Sequence, residues 1–233
     1  MKQINAQYNV ASPGNLTDRV STYMRRKMYA RFVSTGIVED DAILDVGVTS
    51  DQDQLASNYL EAWYPYKGRI TACGIDDASF LEEKYPGLRF VRGDGRDLPF
   101  PDGSFDWVHS SAVLEHVGSS AEQAMFISEL YRVSRKGVFL TTPNRWFPVE
   151  FHTALPLLHW LPKRLFRVAL ERLGHHDLAQ ERNLNLLGAR DLEGLCRKLE
   201  LPDFLIDSVS LFFWPSNLLL VAQKPRAIRS SWF

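Results

Sequence analysis

The chain has 233 residues, a formal net charge of −1, 45% hydrophobic residues and 24% charged residues. These values are typical of one soluble globular domain, so we expect residues 1–233 to form a single domain around one large core. A near-zero charge disfavours RNA or DNA as a partner and favours a small molecule. Residues 1–16 lack the apolar core of a signal peptide, and no apolar run is long enough to cross a bilayer, so the expected location is the cytoplasm.

Cysteine and histidine spacing indicates neither a disulfide nor a metal site. Cys73 and Cys196 are far apart and have no neighbouring cluster of cysteine and histidine at ligand spacing. We therefore expect two reduced, buried thiols. No acid and histidine pair has a spacing that requires a metal, and the sequence predicts none.

The first 144 residues alternate between helical and strand patterns. An N-terminal helical region, residues 1–40, contains an amphipathic helix predicted over 18–32, because apolar residues recur there at helical spacing. The elements predicted next are strand 41–47, helix 54–63, strand 68–77, helix 79–85 capped by Ser79, strand 88–94, strand 105–110, helix 121–134 and strand 137–143. This order predicts an α/β fold with right-handed crossovers, in which helices cover both faces of a parallel sheet.

Residues 145–188 interrupt that alternation with a proline- and aromatic-rich stretch. Its apolar content exceeds the need of one connection, so we predict an inserted, lid-like helical segment that forms an acceptor wall. Two alternatives stay open: a helical hairpin that covers the edge of the sheet, and peripheral membrane contact through 155–173, where basic residues adjoin apolar ones. A helix at 189–199 and two strands around "WPSN" (214–217) complete the chain.

Small and acidic residues follow the predicted strands. They are Asp45 and Gly47 after the first strand, Asp76 and Asp77 after the second, Asp94 after the third, Ser110 and Ser111 after the fourth, and 142–144 after the fifth. Ligands of doubly wound sheets bind at the carboxyl ends of the strands, so these loops are expected to face one cleft. There Asp76, with Asp77 as the second choice, would accept hydrogen bonds from the two hydroxyls of a ribose. The alternative is that the acid only terminates the strand.

The block "GDGRDLPFPDGSFDWVHSSAVLEHV" (93–117) resembles the class I S-adenosylmethionine-dependent methyltransferases, in the branch with small-molecule and lipid-like acceptors. The resemblance covers about 43–144. It implies a Rossmann-like, mostly parallel seven-stranded sheet in which strand seven is antiparallel and lies between strands five and six. Such enzymes carry D-x-G-x-G-x-G in their first loop, whereas this chain has "DVGVTSD" (45–51). We expect that this loop still binds the cofactor, with altered contacts to its amino-acid end.

The resemblance implies S-adenosylmethionine as cofactor and a set of residues around it. They are Asp45 and Gly47 beside the methionine part, Asp76 on the ribose, Asp94 and Gly95 at the adenine edge, and Ser111 near the methionine part or the sulfonium. His116 lies where the methyl group should point and is a candidate general base, and Glu115 could be the base or a cofactor contact. The alternative for His116 is a structural loop residue. His109, inside strand four, is expected to be packed.

Other functions stay open beside methyl transfer. A nicotinamide enzyme is disfavoured because no G-x-G-x-x-G follows the first strand. The lost glycines favour, as an alternative, a non-catalytic protein of this fold that acts as a partner subunit or scaffold. Transfer of another group is a third possibility. The acceptor, whether glycan, quinone, polyketide or fatty acyl group, and the oligomeric state stay open, and "SLFFWPS" (210–216) and "SSWF" (230–233) are candidate apolar contacts.

Overall fold

A computed structural model describes residues 16–52 and 57–225 of the chain. The helices are α1 (Leu16–Val33), α2 (Tyr59–Trp63), α3 (Phe80–Lys84), α4 (Ser120–Val133), α5 (Lys163–Arg172) and α6 (Ala189–Lys198). The strands are β1 (Ile43–Val46), β2 (Ile70–Gly74), β3 (Arg89–Arg92), β4 (Phe105–Ser111), β5 (Ser134–Pro143), β6 (Asp203–Leu211) and β7 (Trp214–Gln223). The predicted "SSWF" contact and part of the predicted helix 54–63 lie outside the described residues.

The seven strands form one sheet in the order β3-β2-β1-β4-β5-β7-β6. Strands β1 to β5 pair in parallel, and β7 pairs antiparallel with both β5 and β6. Both the doubly wound α/β fold and the position of strand seven between five and six are therefore confirmed. The strand order reverses between β1 and β4, which is where ligands bind in this architecture.

Helices cover both faces of the sheet because its central strands are buried on both sides. Alternate residues of β1 belong to different cores: Leu44 and Val46 pack with α4 and α6, whereas Ile43 packs with α1, α2 and α3. The thiols of Cys73 and Cys196 are free and buried, as expected.

Two local features differ from the sequence-based expectation. Ser79 does not cap α3: its backbone is already helical and its side chain makes no cap hydrogen bond, while its amide donates to Asp77 Oδ1 at 3.0 Å. The turn between β6 and β7 lies at Phe212 and Phe213, before "WPSN", which belongs to β7. Pro215 is tolerated there because β5 pairs with β7 only as far as Asn217, so its missing N–H removes no bond to β5.

Residues 145–188 fold beside the carboxyl ends of β4 and β5. The segment contains α5, a short 3₁₀ helix (Leu158–Trp160) and a small core of its own around Phe166 and Leu170. Isolated β-bridges pair the backbone of Asn144 with that of Leu187, and the backbone of Val149 with that of Pro156. Among the helices of the described residues, none combines the length and apolar character needed to cross a bilayer.

Candidate active site

A cleft of about 310 Å³ lies at the carboxyl ends of β1, β2, β3 and β4. Its walls come from the loops after these strands, from α4 and from the end of the 145–188 segment. Four of the predicted site residues line the cleft, namely Gly47, Asp94, Gly95 and His116. Five others are not among the lining residues, namely Asp45, Asp76, Asp77, Ser111 and Glu115. Its size is within the range of small-molecule sites.

The first loop makes a sharp turn at Gly47, whose φ is +100°. A Cβ atom on this residue would lie 2.1 Å from Cγ2 of Val113, so the position accepts only glycine without local movement. The Gly47 amide donates to the Cys73 carbonyl at 2.8 Å, which ties the loop to β2. The one glycine retained from the D-x-G-x-G-x-G pattern is thus the one that the turn requires.

Side-chain hydrogen bonds hold the part of the loop where further glycines are absent. Asn58 accepts from the Thr49 amide at 2.9 Å and donates to the Thr49 carbonyl at 3.0 Å. Thr49 Oγ1 in turn accepts from the Asp51 amide at 3.0 Å. Val48 and Thr49 are both buried, and Val48 also lines the cleft, so side chains fill this part of the loop where the usual pattern has glycines.

Asp45, expected beside the methionine part, is not among the residues that line the cleft. Side chains alternate along a strand, and Asp45 points to the α1 face together with His109. Asp45 Oδ1 lies 2.7 Å from His109 Nδ1, and the Tyr59 hydroxyl lies 2.8 Å from His109 Nε2, within hydrogen-bond distance. Burial raises the pKa of Asp45 to about 7 and lowers the pKa of His109 to about 4. His109 is the packed residue that the sequence predicted.

Asp76 fits the predicted ribose contact, although its side chain lies at the rim. Its neighbours Gly74 and Ile75 line the cleft. Asp76 Oδ2 is buried and has no hydrogen-bond partner among the described residues. A buried carboxylate oxygen without a partner is costly, and the hydroxyls of a ribose would satisfy it. Asp77, in contrast, is exposed and uses its Oδ1 locally on Ser79.

Asp94 lines the cleft with its carboxylate held by Arg96. Arg96 donates through Nη2 to Asp94 Oδ2 at 2.7 Å and through Nη1 to Glu122 Oε1 at 2.9 Å. The hydrogen bond from Arg96 lowers the pKa of Asp94, so this side chain stays an anionic acceptor. Gly95 lies close to Phe126: a Cβ on Gly95 would be 2.2 Å from Cε2 of that ring. This packing leaves the loop backbone at the edge of the cleft.

The loop after β4 turns sharply toward the cleft. Ser111 Oγ shares a hydrogen bond of 2.9 Å with Thr141 Oγ1, so it faces β5 rather than the lining. Ala112 adopts a positive φ of 56°, an uncommon conformation for alanine, and lines the cleft. Glu115 is fully buried and accepts from Thr142 Oγ1 at 2.9 Å.

His116 meets His152 at the mouth of the cleft. The two Nε2 atoms are 3.1 Å apart, His116 Nδ1 lies 2.7 Å from the Asn183 carbonyl oxygen, and His152 Nδ1 lies 2.6 Å from Glu150 Oε1. Burial lowers the pKa of His116. The pKa of His152 is raised despite burial, because the Glu150 carboxylate bonds to its ring, and the same contact outweighs burial to lower the pKa of Glu150 to about 2.

Several lining residues were not found from the sequence. Arg182 and Asn183 come from the segment after α5, and Arg96, Val113 and Phe126 come from loops and α4. Arg96 and Val113 lie within the 93–117 block, although the sequence assigned them no role. No motif identifies Phe126, Arg182 or Asn183, which reach the cleft through tertiary packing, and the one signal for the last two was the prediction that the 145–188 segment covers the site.

Relatives of this chain are methyltransferases. Residues 44–142 match the family described as a methyltransferase domain. A protein of Mycolicibacterium smegmatis, named "Probable S-adenosylmethionine-dependent methyltransferase", is 40% identical over 81 residues, which cover 33% of this chain and 30% of that protein. The demethylmenaquinone methyltransferase of Beutenbergia cavernae is 37% identical over 89 residues, 35% of each chain. This chain therefore spans about a third of the length of the curated relatives it matches.

A solved structure shares the fold across nearly the whole chain. Magnesium protoporphyrin IX methyltransferase from Synechocystis, crystallised with bound SAH, has a TM-score of 0.57 at 16% identity, and the match covers 92% of this chain and 90% of that one. The sheet order and the cleft at its strand ends agree with the fold of this solved structure. Residues 44–142, a little under half of the chain, are similar to the methyltransferase-domain family and to a relative named for S-adenosylmethionine.

Proposed function

We propose that this protein transfers the methyl group of S-adenosylmethionine to a small-molecule, glycan or lipid-linked acceptor. The observation that carries the proposal is the cleft at the strand ends, with Gly47 at its turn and the unpartnered Asp76 oxygen at its rim. The bound cofactor would supply a methyl group on a positively charged sulfur, ready for in-line displacement. The protein would contribute mainly by holding the acceptor at attack distance.

The residues of the cleft have separable roles in this proposal. Asp76 would bind the ribose hydroxyls, and Asp94 with the Gly95 backbone would bind the adenine edge. The Gly47 turn would contact the methionine part, and Ser111 would support that region through its bond to Thr141. Asp45 would act only indirectly, by fixing the end of β1 from the opposite face of the sheet.

His116 and Glu115 are the proposed catalytic residues. His116 lines the cleft, and its ring is oriented by the Asn183 carbonyl at 2.7 Å. Nδ1 must therefore carry the proton, so Nε2 is the atom that would accept a proton, and an acceptor would have to displace its 3.1 Å contact with His152 Nε2. Glu115 lies beside it, with Oε1 3.9 Å from His116 Nε2. This pair could accept a proton from a hydroxyl acceptor.

An apolar acceptor is supported by exposed apolar side chains of the 145–188 segment. Leu161, Leu165 and Val168 are exposed near the basic residues of α5. The relative from Beutenbergia cavernae is named for demethylmenaquinone, a lipid-soluble quinone. We therefore place peripheral membrane contact through 155–173 within the proposal, with the cytoplasm as the location and no nucleic acid as partner.

Calorimetry with S-adenosylhomocysteine tests the cofactor site directly. We expect one binding site in the wild-type protein and at least tenfold weaker binding in Asp76→Asn, because a hydrogen bond to a charged group contributes about 1.5–3 kcal/mol. Asp77→Asn is the matched control, because the Asp77 carboxylate is next in sequence but exposed. This variant should bind S-adenosylhomocysteine as the wild type does. Absence of binding at millimolar ligand would contradict the proposal.

The second candidate is a non-catalytic protein of the same fold, acting as a partner subunit or scaffold. The observation that favours it is the inward packing of Val48 and Thr49 in the first loop. This candidate would be supported if Asp76→Ala abolished cofactor binding while the biological activity of the protein persisted. Product mass with a labelled cofactor separates methyl transfer from transfer of another group.

A further inference from the structure

Three potential metal ligands converge where the loop after β4 meets the 145–188 segment. Glu115, His116 and His152 each offer one ligand atom, and these atoms all lie within 4.8 Å of one another. Glu115 is fully buried, and the side chains of His116 and His152 are 13% and 11% exposed. We propose that these three residues bind a divalent transition-metal ion at the mouth of the cleft. This departs from the sequence-based expectation of no metal.

The ring orientations support a cation between the two histidines. His116 Nδ1 faces a carbonyl oxygen and His152 Nδ1 faces a carboxylate oxygen, and both oxygens are acceptors. Each Nδ1 must therefore carry a proton, so each neutral ring has its lone pair at Nε2. These two lone pairs point at one another across 3.1 Å. Such an approach is repulsive unless a proton or a metal ion lies between them.

Glu115 supplies the third ligand and favours the metal over a shared proton. Its Oε2 accepts from Thr142, but its Oε1 is buried without a hydrogen-bond partner in the described parts of the chain. That unpartnered oxygen lies 3.9 Å from His116 Nε2. A proton shared by the two rings would leave Oε1 unsatisfied, whereas a metal ion would bind all three atoms.

The separations match the coordination geometry of small divalent ions. Zinc lies about 2.0–2.2 Å from nitrogen and oxygen ligands, so two ligands at angles of about 90–110° are about 3.0–3.5 Å apart. The two Nε2 atoms already satisfy this condition, whereas the Glu115 oxygen, 3.9 Å from His116 Nε2 in a group that spans up to 4.8 Å, would need to move toward them by about 1 Å. Two imidazoles and one carboxylate suit zinc, iron, cobalt or manganese rather than calcium or magnesium.

Each ligand also has the outer partner that metal sites usually show. Asn183 orients His116, Glu150 orients His152, and Thr142 orients Glu115. Glu150 is itself fixed, because its Oε2 accepts from the Thr153 amide and hydroxyl, each at 2.7 Å. Such partners set the tautomer and raise the basicity of the ligand. Three protein ligands with an open position are typical of catalytic rather than structural sites.

The open position would face the acceptor. His116 lines the cleft, so a fourth ligand would enter from that side. If the proposed methyl transfer holds, on which this role rests, a hydroxyl oxygen of the acceptor would bind there, its pKa would fall, and its proton would pass to solvent water in the cleft. His116 would then act as a ligand rather than as the base. Metal binding itself does not depend on this role.

Calorimetry of the chelator-treated protein with Zn²⁺ alone tests the site. We expect one equivalent to bind, and Co²⁺ to give visible absorption bands of a protein-bound ion. His152→Ala should weaken binding at least a hundredfold, and Glu115→Gln at least tenfold. Glu150→Gln, which removes no ligand, should weaken it about 10–100-fold through the outer shell. His176→Ala is the matched control, because that imidazole is exposed.

The outcomes separate this inference from the proposed function. Folded protein that binds S-adenosylhomocysteine but no zinc would overturn the metal site alone, and a proton shared by His116 and His152 would replace it. Protein that binds zinc but not S-adenosylhomocysteine would overturn the proposed function alone. Zinc binding that is equal in the wild type and His152→Ala would also overturn the site. Circular dichroism of each variant shows whether it is folded, and the Co²⁺ spectrum of the wild type does not depend on any variant.

Discussion

Asp45 and His109 form a buried pair whose members respond to burial in opposite directions. The pKa of Asp45 rises from 3.8 to about 7, and the pKa of His109 falls from 6.5 to about 4. Glu61 also faces the pair from α2, and its pKa is raised by burial and by the charge of Asp45. Each of these groups favours its uncharged form, because charges this far from water are unstable.

The pH dependence of stability should therefore change with opposite sign in two variants. The stabilising contribution of neutral Asp45 is complete below pH 3.8 and is lost as pH rises through about 7. That of neutral His109 is complete above pH 6.5 and is lost as pH falls through about 4. Relative to the wild type, Asp45→Asn should become more stable as pH rises between these limits, and His109→Asn as pH falls.

Urea unfolding at several pH values measures these differences, with every protein carrying Glu61→Gln, because the pKa of Glu61 itself depends on Asp45. The limiting slope is about 1.4 kcal/mol per pH unit for one proton. If the unfolding free energies of both variants followed the same pH dependence as that of the wild type, the pair would not titrate in this range.

The orientation of Asp45 illustrates what the sequence leaves open at the scale of a residue. Strand β1 is buried on both faces, so all four of its residues have the same burial and no hydrophobic alternation marks the two sides. The sequence shows that an acid ends this strand, but it does not show on which face of the sheet the side chain of Asp45 lies. His109 was assigned correctly because an imidazole inside an apolar strand has little alternative to packing.

At the scale of an element, the loop after β1 depends on its single glycine. Gly47 and Gly36 both have strongly positive φ, +100° and +93°. They differ in their surroundings, since Val113 would contact a Cβ on Gly47, whereas no atom of the described residues lies within 4 Å of a Cβ on Gly36. Comparing substitutions at these two glycines therefore separates the cost of backbone strain from the cost of steric conflict with Val113.

Alanine at the two glycines should have unequal effects. Gly36→Ala should cost about 1–3 kcal/mol of unfolding free energy through strain alone. Gly47→Ala should cost about 1–3 kcal/mol more through overpacking, and should weaken S-adenosylhomocysteine binding. The Gly47→Ala, Val113→Ala double variant should recover part of the additional loss. Equal costs in the two single variants, measured by denaturant unfolding, would contradict the steric explanation.

Element prediction succeeded where periodicity was strong. Helix α4 begins with a capping box formed by Ser119 and Glu122, and its apolar spacing was clear from the sequence. The turn between β6 and β7 was misplaced because "WPSN" carries turn residues, while the actual turn uses two phenylalanines that no turn rule favours. The 145–188 segment could be delimited but not folded, because its structure depends on contacts with β4 and β5.

At the scale of the whole molecule, exposed apolar side chains collect around the segment that borders the cleft. Leu165 and Val168 on α5 are 55% and 47% exposed. At the tip of the β6–β7 hairpin, Phe212 and Phe213 are 88% and 100% exposed. Trp214 joins the two regions, since its ring lies 6.1 Å from that of Trp160.

Vesicle binding tests the proposed membrane contact. Leu165→Ser with Val168→Ser should reduce co-sedimentation with anionic phospholipid vesicles at least tenfold, because each buried aliphatic side chain contributes about 1.5–3 kcal/mol. Met125→Ser is the control, since Met125 is 54% exposed on α4, away from this surface. Binding that is weak in the wild type, or equal in all three proteins, would exclude the surface as a membrane contact.

The position of β7 has a consequence for how the chain assembles. Strand β5 ends at residue 143, yet its second neighbour is β7, which begins at residue 214. During synthesis, the first five strands emerge some seventy residues ahead of the partner that shields β5. Until then β5 presents open amides and carbonyls that other nascent chains could pair with. A ribosome that stalls in this interval would leave an aggregation-prone intermediate. A chaperone that covers β5 would have its largest effect at that stage.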